Sequence, residues 1–305
     1  MSAKMEIHPE NFLGIGPPHS ELETARAVIL PIPYDRTTTY GKGAARGPAA
    51  LISASCSLEL YDEELAVETF TLGVHTAPPV SGNEDPPERM VKAVEAAAGK
   101  YLDMGKLVVT VGGEHSITFG AVAAYHRLHP ELTVVQLDAH GDMRDEYEGS
   151  KHNHACVMRR IRDMKIRTVG IGIRSLCLEE VDYLTRHPSI LISGRRVEEG
   201  REWFEEALRE VGEKVYVTVD VDYFDPALVP GTGTPEPGGG DWYTTLAFLR
   251  ALSRRSRIVG FDIMELAPIP GQPASDFLAA KLLYRMLGYT LVGDGRQDGQ
   301  GPILR

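Results

Sequence analysis

Short apolar runs recur along the chain, separated by longer stretches with helical periodicity. The runs are rich in Val and Ile and are mostly continuous, which is typical of strands buried on both faces of a parallel sheet. The sequence therefore predicts strands at residues 27–31, 107–111, 132–137, 168–173, 190–192, 215–221 and 258–263.

Amphipathic stretches fill several of the gaps between these runs, and their period of about 3.6 residues predicts helices. They span residues 87–104, 116–127, 203–211 and 244–253, the second beginning at Ser116, a residue that can cap a helix. Alternating strands and helices predict an α/β fold with right-handed crossovers. No linker or repeat interrupts the pattern, so we expect a single domain over residues 1–305 with a mobile tail from about residue 293.

The charge balance limits the classes of partner. The 305 residues include 32 Lys and Arg against 43 Asp and Glu, a formal net charge of −11. An acidic chain without a basic stripe is a poor candidate for binding nucleic acid or an anionic membrane. A cationic substrate suits this charge better, although the same acidity can serve solubility alone.

The cysteines and the first thirty residues predict a cellular location. Cys56, Cys156 and Cys177 are odd in number and lack the short spacing of a zinc site, so we expect reduced thiols. The first thirty residues have no apolar run of the signal-peptide kind, and no stretch approaches the ~18 apolar residues of a membrane span. We therefore expect a cytoplasmic protein.

Acidic residues and histidines follow three of the predicted strands. In open α/β sheets, ligands bind beyond the carboxyl ends of the strands. The segments there are GGEHS, DAHGD and DVD, and residues two apart on an extended chain point the same way. The candidate ligands that they offer are His115, Asp138, His140, Asp142, Asp220 and Asp222.

These six residues predict a metal site rather than separate structural roles. A lone Asp at a strand end is usually a turn former, and a lone His can belong to the core, but burying four unpaired carboxylates together would be prohibitive. Six ligands are too many for one tetrahedral zinc ion. Carboxylates with imidazoles and no thiolate suit manganese or magnesium, and the imidazoles favour manganese. Two ions that share bridging carboxylates would use all six groups and generate a hydroxide at neutral pH.

At these residues the sequence resembles the ureohydrolase family, which includes arginases and agmatinases, and it looks closest to agmatinases. The motifs are GGEHS at 112–116, DAHGD at 138–142, DVDYFDPALVPGTGTPEPGG at 220–239 and DIMELAP at 262–268. The resemblance implies a three-layer α/β/α fold with a central, mostly parallel sheet. It also implies two Mn²⁺ ions per chain and hydrolysis of a guanidino group to urea and an amine.

The resemblance also implies a role for each site residue. His115 and Asp142 are similar to the terminal ligands of one ion, His140 and Asp222 to those of the other, and Asp138 and Asp220 to the bridging carboxylates. His154 lies where the family has a catalytic histidine, and Glu265 where it has the carboxylate that contacts the guanidinium. Asp142 could also orient the nucleophile. From the residues alone, His154 could be a plain loop residue and Glu265 could pair with an arginine.

Two departures from the family pattern bear on the site and the substrate. Glu114 stands where many members have Asp, a change that keeps the charge. Arg144 stands where arginases have an Asn that helps to hold the amino-acid end of arginine, which favours agmatine. Arg144 and Asp145 could shape the pocket or pair with each other, and Asp145 could instead receive a distal ammonium. Residues 36–48 could line the substrate channel, and residues 235–240 could form a rim loop.

The leading hypothesis is therefore an agmatinase-type amidinohydrolase that yields putrescine and urea, a step of polyamine biosynthesis. Aminopropylagmatine, guanidinobutyrate and arginine are alternative substrates for the same chemistry. A metal-binding homologue without turnover is a further alternative, which the complete ligand set and His154 disfavour. By analogy with the family, we expect a homo-oligomer, either a trimer or a hexamer.

Overall fold

The predicted strands all lie in one sheet. The structure is a computed structural model that describes residues 7–293, and within this range the sheet has eight strands, all paired in parallel. They are β1 (Ala27–Ile32), β2 (Val74–Thr76), β3 (Leu107–Gly112), β4 (Thr133–Leu137), β5 (Arg167–Ile173), β6 (Ile190–Ser193), β7 (Lys214–Asp220) and β8 (Arg257–Met264). Their order across the sheet is β2–β1–β3–β8–β7–β4–β5–β6.

Helices cover both faces of this sheet. Those in the described range are α1 (Gly47–Ser55), α2 (Pro87–Asp103), α3 (Thr118–Leu128), α4 (Val157–Asp163), α5 (Leu178–Arg186), α6 (Gly194–Glu199), α7 (Trp203–Glu210), α8 (Trp242–Arg255) and α9 (Ala274–Leu291). Helices α2 to α5 pack against one face, and the others pack against the opposite face. Side chains of each central strand alternate between two buried cores, which explains the continuous apolar runs. The three-layer α/β/α fold is thus confirmed.

Three local features differ from the sequence prediction. Strand β2 has only three residues, too few to give a pattern. Helix α9 is buried almost all round from residue 279 to 289, so it lacks the amphipathic stripe that predicts a helix. The helix predicted from Ser116 begins as α3 at Thr118, after a short 3₁₀ turn. The Ser116 hydroxyl does not cap that helix, because it donates a hydrogen bond to Glu114 at 2.5 Å.

Three predictions concern the cysteines, the C-terminal tail and membrane-spanning segments. The three cysteines are free thiols, as expected. The predicted tail lies outside the described residues. Among the helices of residues 7–293, none combines the length and the apolar character needed to cross a membrane.

A glycine allows three strand ends to meet closely where the candidate site begins. The Gly113 amide donates to the Ile32 carbonyl at 2.9 Å, and its carbonyl accepts from the Glu265 amide at 2.7 Å. A Cβ atom on Gly113 would lie 1.8 Å from the Tyr34 carbonyl oxygen. Any side chain here would therefore push the chain after β1 away from the ends of β3 and β8.

We expect Gly113→Ala to destabilise the protein by about 1–3 kcal/mol, because the backbone must shift to admit the methyl group. The matched control is Gly99→Ala in α2, where the nearest heavy atom to a new Cβ would be 3.7 Å away. Alanine at position 99 should leave stability unchanged or raise it by up to about 1 kcal/mol, because it favours helix. Urea unfolding measures both, and equal midpoints would contradict the close approach at Gly113.

Candidate functional site

The candidate site lies at the carboxyl ends of four neighbouring strands, β3, β8, β7 and β4. His115 follows β3, Asp138 follows β4, Asp220 ends β7, and Glu265 follows β8. Because all four strands are parallel, residues separated by up to 150 positions in the sequence meet at one edge of the sheet.

The first group of side chains converges on His115. Its Nδ1 lies 2.9 Å from an oxygen of Asp142, 3.1 Å from one of Asp138 and 3.5 Å from one of Asp220. His115 is fully buried, and its Nδ1 makes no well-directed hydrogen bond. These atoms therefore face a common point instead of forming separate pairs, which is the arrangement that a metal ion requires.

The second group lies beside the first and shares one member with it. His140 Nδ1 is 2.9 Å from Asp222 and 3.7 Å from Asp138. Asp138 belongs to both groups, with Oδ1 toward His140 and Oδ2 toward His115. The structure thus brings together all six residues that the sequence predicts as ligands.

Backbone amides hold the carboxylates in place. The amide of His140 donates to Asp138 at 2.7 Å, and the amide of Asp222 donates to Asp220 at 2.9 Å. The amide of Ala139 donates to Asp222 at 3.0 Å and so joins the ends of β4 and β7. The i, i+2 spacing therefore serves two purposes, because it aligns the side chains and lets each segment brace its own carboxylate.

Several side chains of this cluster have pKa values far from their ordinary ones. Burial and the charge of Asp138 raise the pKa of Asp142 to about 7. Burial and neighbouring carboxylates also raise the pKa of Asp220 well above its usual range. Burial lowers the pKa of His140, but hydrogen bonds to Asp138 and Asp222 outweigh it and raise this pKa to about 12. The carboxylates thus compete for positive charge, which protons or metal ions can supply.

Of the three predicted catalytic residues, Asp142 belongs to the cluster, and His154 and Glu265 lie together beside it. His154 Nδ1 is 3.7 Å from Oε1 of Glu265, which also accepts the His115 amide at 2.7 Å. Burial and the charges of His140 and His115 lower the pKa of His154 to about 4, so its ring is neutral at pH 7. Burial and the charge of Glu114 raise the pKa of Glu265.

Two of the candidate site residues have strained backbones. Asp142 has φ +54° and Glu265 has φ +62°, both in the left-handed region that disfavours residues other than glycine. Such conformations cost about 1–3 kcal/mol each and persist only where neighbours enforce them. The Asp142 carbonyl accepts amides of α4, and the Glu265 amide donates to Gly113. This strain at two site residues is typical of functional positions.

A cavity of about 230 Å³ opens onto the cluster. The site residues that line it are His140, Asp142, His154 and Asp220, and the rest of its lining includes Thr39, Arg144, Tyr147, Ser175, Cys177, Glu180 and Thr234. Thr39 lies in the segment 36–48, so part of that predicted channel loop does line the cavity.

The idea that Arg144 and Asp145 pair with each other is wrong. The Arg144 guanidinium stacks over the Tyr147 ring at 4.5 Å. Asp145 instead binds Arg160 at 2.6 Å and Lys151 at 3.2 Å, and it does not line the cavity. With both cations on its carboxylate, Asp145 is a poor receptor for a substrate ammonium.

Sequence reasoning missed the clamp formed by Glu114. This buried carboxylate accepts the Thr37 amide at 2.5 Å, the Thr37 hydroxyl at 2.6 Å and the Ser116 hydroxyl at 2.5 Å. Thr37 Oγ1 in turn accepts the His154 amide at 3.0 Å. Glu114 stands directly before His115 in the sequence, but no local signal indicates that its partner lies 77 residues away.

Arg174 was also missed, and no motif marks it. Within residues 7–293 its guanidinium donates only to backbone carbonyls, those of Gly172, Asp222, Tyr223, Glu236 and Pro237, at 2.8–3.4 Å. It therefore ties Glu236 and Pro237, in the segment that the sequence suggests as a rim loop, to the turn that carries Asp222.

Comparison with known proteins places the chain in a family. An arginase-family sequence profile matches residues 25–288. An N(1)-aminopropylagmatine ureohydrolase from Synechocystis sp. is 44% identical over 87% of this chain and 89% of that protein. An agmatinase from Pyrococcus horikoshii is 35% identical over 90% of this chain and 95% of that protein. The crystal structure of agmatine ureohydrolase of Thermoplasma volcanium has a TM-score of 0.82 at 33% identity, covering 95% of each chain. The chain therefore belongs to the arginase family.

Proposed function

We propose that this protein hydrolyses the guanidino group of an agmatine-type substrate, which yields urea and an amine. The observation that carries this proposal is the convergence of six acidic and imidazole side chains at the end of a cavity, with His154 and Glu265 beside them. A guanidinium resists attack because resonance fills its central carbon. Its hydrolysis therefore needs a strong nucleophile, a carboxylate to hold the cation and a donor for the leaving amine.

We infer that the cluster holds two Mn²⁺ ions. His115 and Asp142 would bind one ion and His140 and Asp222 the other, with Asp138 and Asp220 between them. The donor set of oxygens and imidazole nitrogens without thiolate suits manganese, and the shared position of Asp138 supports a two-ion site. When bound, such a pair supplies a water-derived nucleophile near neutral pH.

The chain's own residues would then orient the substrate and move protons. Oε1 of Glu265 is engaged by the His115 amide, whereas among the described residues Oε2 receives no hydrogen bond and can accept a guanidinium N–H. Neutral His154 can take the proton released by the attacking water and give it to the leaving nitrogen. Its Nε2 is buried without a hydrogen-bond partner in the described structure, which leaves that atom available.

The substrate tail is argued from the relatives and from the cavity. The 44% identical relative is named for aminopropylagmatine and the 35% identical one for agmatine, so we favour a cationic tail with an added aminopropyl group. The Glu180 carboxylate, outside the proposed metal site, lines the cavity and disfavours a substrate carboxylate. Arg144 has no carboxylate partner among the described residues, which makes guanidinobutyrate the competitor that a test must include.

Metal stoichiometry tests the two-ion site. After loading with manganese and removal of the excess, elemental analysis should find close to two ions per chain. Asp138→Asn should lose both, because Asp138 belongs to both groups, whereas His115→Ala should lose one. Asp145→Asn is the control, since that carboxylate lies outside the cluster. A single ion in the fully loaded wild type would contradict the proposal.

Protons and metal ions should compete for the same atoms. The pKa of Asp142 rises from 3.8 to about 7 on folding. A carboxyl whose pKa is raised stabilises the folded state below its unfolded pKa, and this contribution is lost as the pH rises from 3.8 to about 7. Metal binding must displace this proton, so manganese should raise Tm little near about pH 5 and much more near about pH 8.

Calorimetry of the metal-free protein, with and without manganese at each pH, measures this difference. At a hundred times the dissociation constant the ion should add about 2.7 kcal/mol of stability. Asp142→Asn is the control, and it should flatten the dependence on pH. Equal increases in Tm at both pH values would rule out proton–metal competition at this site.

Substrate choice is measured as kcat/KM for urea release over a panel of guanidino compounds. We expect aminopropylagmatine and agmatine each to exceed arginine by at least about a hundredfold, or roughly 2.7 kcal/mol, because Glu180 in the cavity wall would repel the carboxylate of arginine. Aminopropylagmatine should be the better of the two. If guanidinobutyrate ranks first, the assignment of the tail is wrong while the urea-releasing chemistry stands.

Two histidine variants are measured in the same assay, one as the test and one as its control. His154→Asn should lower kcat for every active substrate by about 10²–10⁴-fold, because it removes the proposed proton carrier. His152→Asn should leave kcat unchanged, since the His152 ring packs against Phe119 and does not line the cavity.

A further inference from the structure

Asp262 is a fully buried carboxylate for which the proposed reaction has no role. It lies in β8, three residues before Glu265, and is 0% exposed. Its Oδ2 accepts the Tyr216 hydroxyl at 2.8 Å and the Thr118 hydroxyl at 2.9 Å. Burial raises its pKa, and the nearby His115 charge and three neighbouring hydroxyls oppose that rise. A carboxylate buried in this way is costly in free energy unless it is paired or hydrogen-bonded.

A chain of hydroxyl groups joins Asp262 to His115. The Thr118 hydroxyl lies 3.5 Å from the Thr218 hydroxyl, which lies 2.8 Å from Nε2 of His115. All of these side chains are buried, so water does not compete with the bonds. The far nitrogen of the same ring, Nδ1, faces the carboxylates of the cluster.

With Asp262 ionised, there is one arrangement in which both threonine hydroxyls of this chain donate and accept a hydrogen bond. An ionised carboxylate only accepts hydrogen bonds, so the Thr118 hydroxyl must donate to Asp262. In that arrangement Thr118 Oγ1 accepts the Thr218 proton across the longer, 3.5 Å contact, and Thr218 Oγ1 accepts a proton from His115 Nε2 at 2.8 Å. With its hydrogen on Nε2, the neutral imidazole of His115 carries its lone pair on Nδ1.

We infer that Asp262 is a positioning residue, which acts through Thr118 and Thr218 to fix His115 with Nδ1 as the metal-binding nitrogen. This inference rests on the metal site of the proposed function. Without the chain of hydroxyls, the ring could place its hydrogen on Nδ1 or rotate, and either change would remove one ligand from the cluster. Outer partners of this kind typically change metal affinity by about 10- to 100-fold.

The central experiment compares two substitutions at one position. Thr218→Val keeps the shape and removes the hydroxyl, whereas Thr218→Ser keeps the hydroxyl. Manganese binding to the metal-free full-length protein is measured by equilibrium dialysis. We expect Thr218→Val to weaken one of the two binding steps by about 10- to 100-fold, and Thr218→Ser to bind as the wild type does. Asp262→Asn should act in the same direction as Thr218→Val.

Tyr216→Phe is the matched control. It removes a hydrogen bond to the same oxygen of Asp262 but leaves the chain to His115 intact. It should lower Tm without changing manganese affinity, which separates positioning from a general loss of stability. At saturating manganese, Thr218→Val should also keep the wild-type KM, since the chain of hydroxyls does not touch the cavity.

Two results would overturn the inference. Equal manganese affinity in Thr218→Val and Thr218→Ser would show that the hydroxyl does not position His115, while the metal site would stand. A loss of manganese affinity in Tyr216→Phe as large as that in Thr218→Val would show that stability alone controls the affinity. A wild type that binds no manganese at all would overturn both the inference and the proposed metal site.

Discussion

The structure depends on the burial of many carboxylates around two histidines. Asp138, Asp142, Asp220 and Asp222 are all nearly inaccessible to water, and such a cluster is unstable unless positive charge is placed among the oxygens. Bound metal ions, or protons on His115 and His140, can supply that charge. The backbone amides that brace each carboxylate, the strain at Asp142 and the close approach at Gly113 all hold this arrangement in place.

The parallel sheet makes the cluster possible from segments that are far apart in the sequence. Strands β3, β8, β7 and β4 are adjacent although they come from the first, last and middle parts of the chain. Each contributes its cluster residues at or just beyond its carboxyl end, whereas the buried polar residues farther back, Thr218 and Asp262, are hydrogen-bonded to one another's neighbours. The same edge also receives the loop with Thr37, which the buried Glu114 fixes beside His154.

The sequence predicts the six cluster residues because two local rules apply to them. Residues two apart on an extended chain share a direction, and parallel strands end at one edge, so Asp138, His140 and Asp142 could be assigned without coordinates. Neither rule predicts the Glu114–Thr37 clamp, the five carbonyls bound by Arg174 or helix α9. These features depend on which distant segments pack together, and α9 hides its helical period because nearly every side is buried.

Arg174 has a mechanical consequence. One guanidinium binds the carbonyls of Glu236 and Pro237 in one segment and those of Asp222 and Tyr223 in the turn after β7. The segment with Glu236 and Pro237 therefore cannot move on its own without breaking bonds to the turn that presents Asp222. A displacement of either segment is therefore passed to the other, whereas the part of the cavity wall formed by Thr39, Arg144 and Tyr147 lies outside this link.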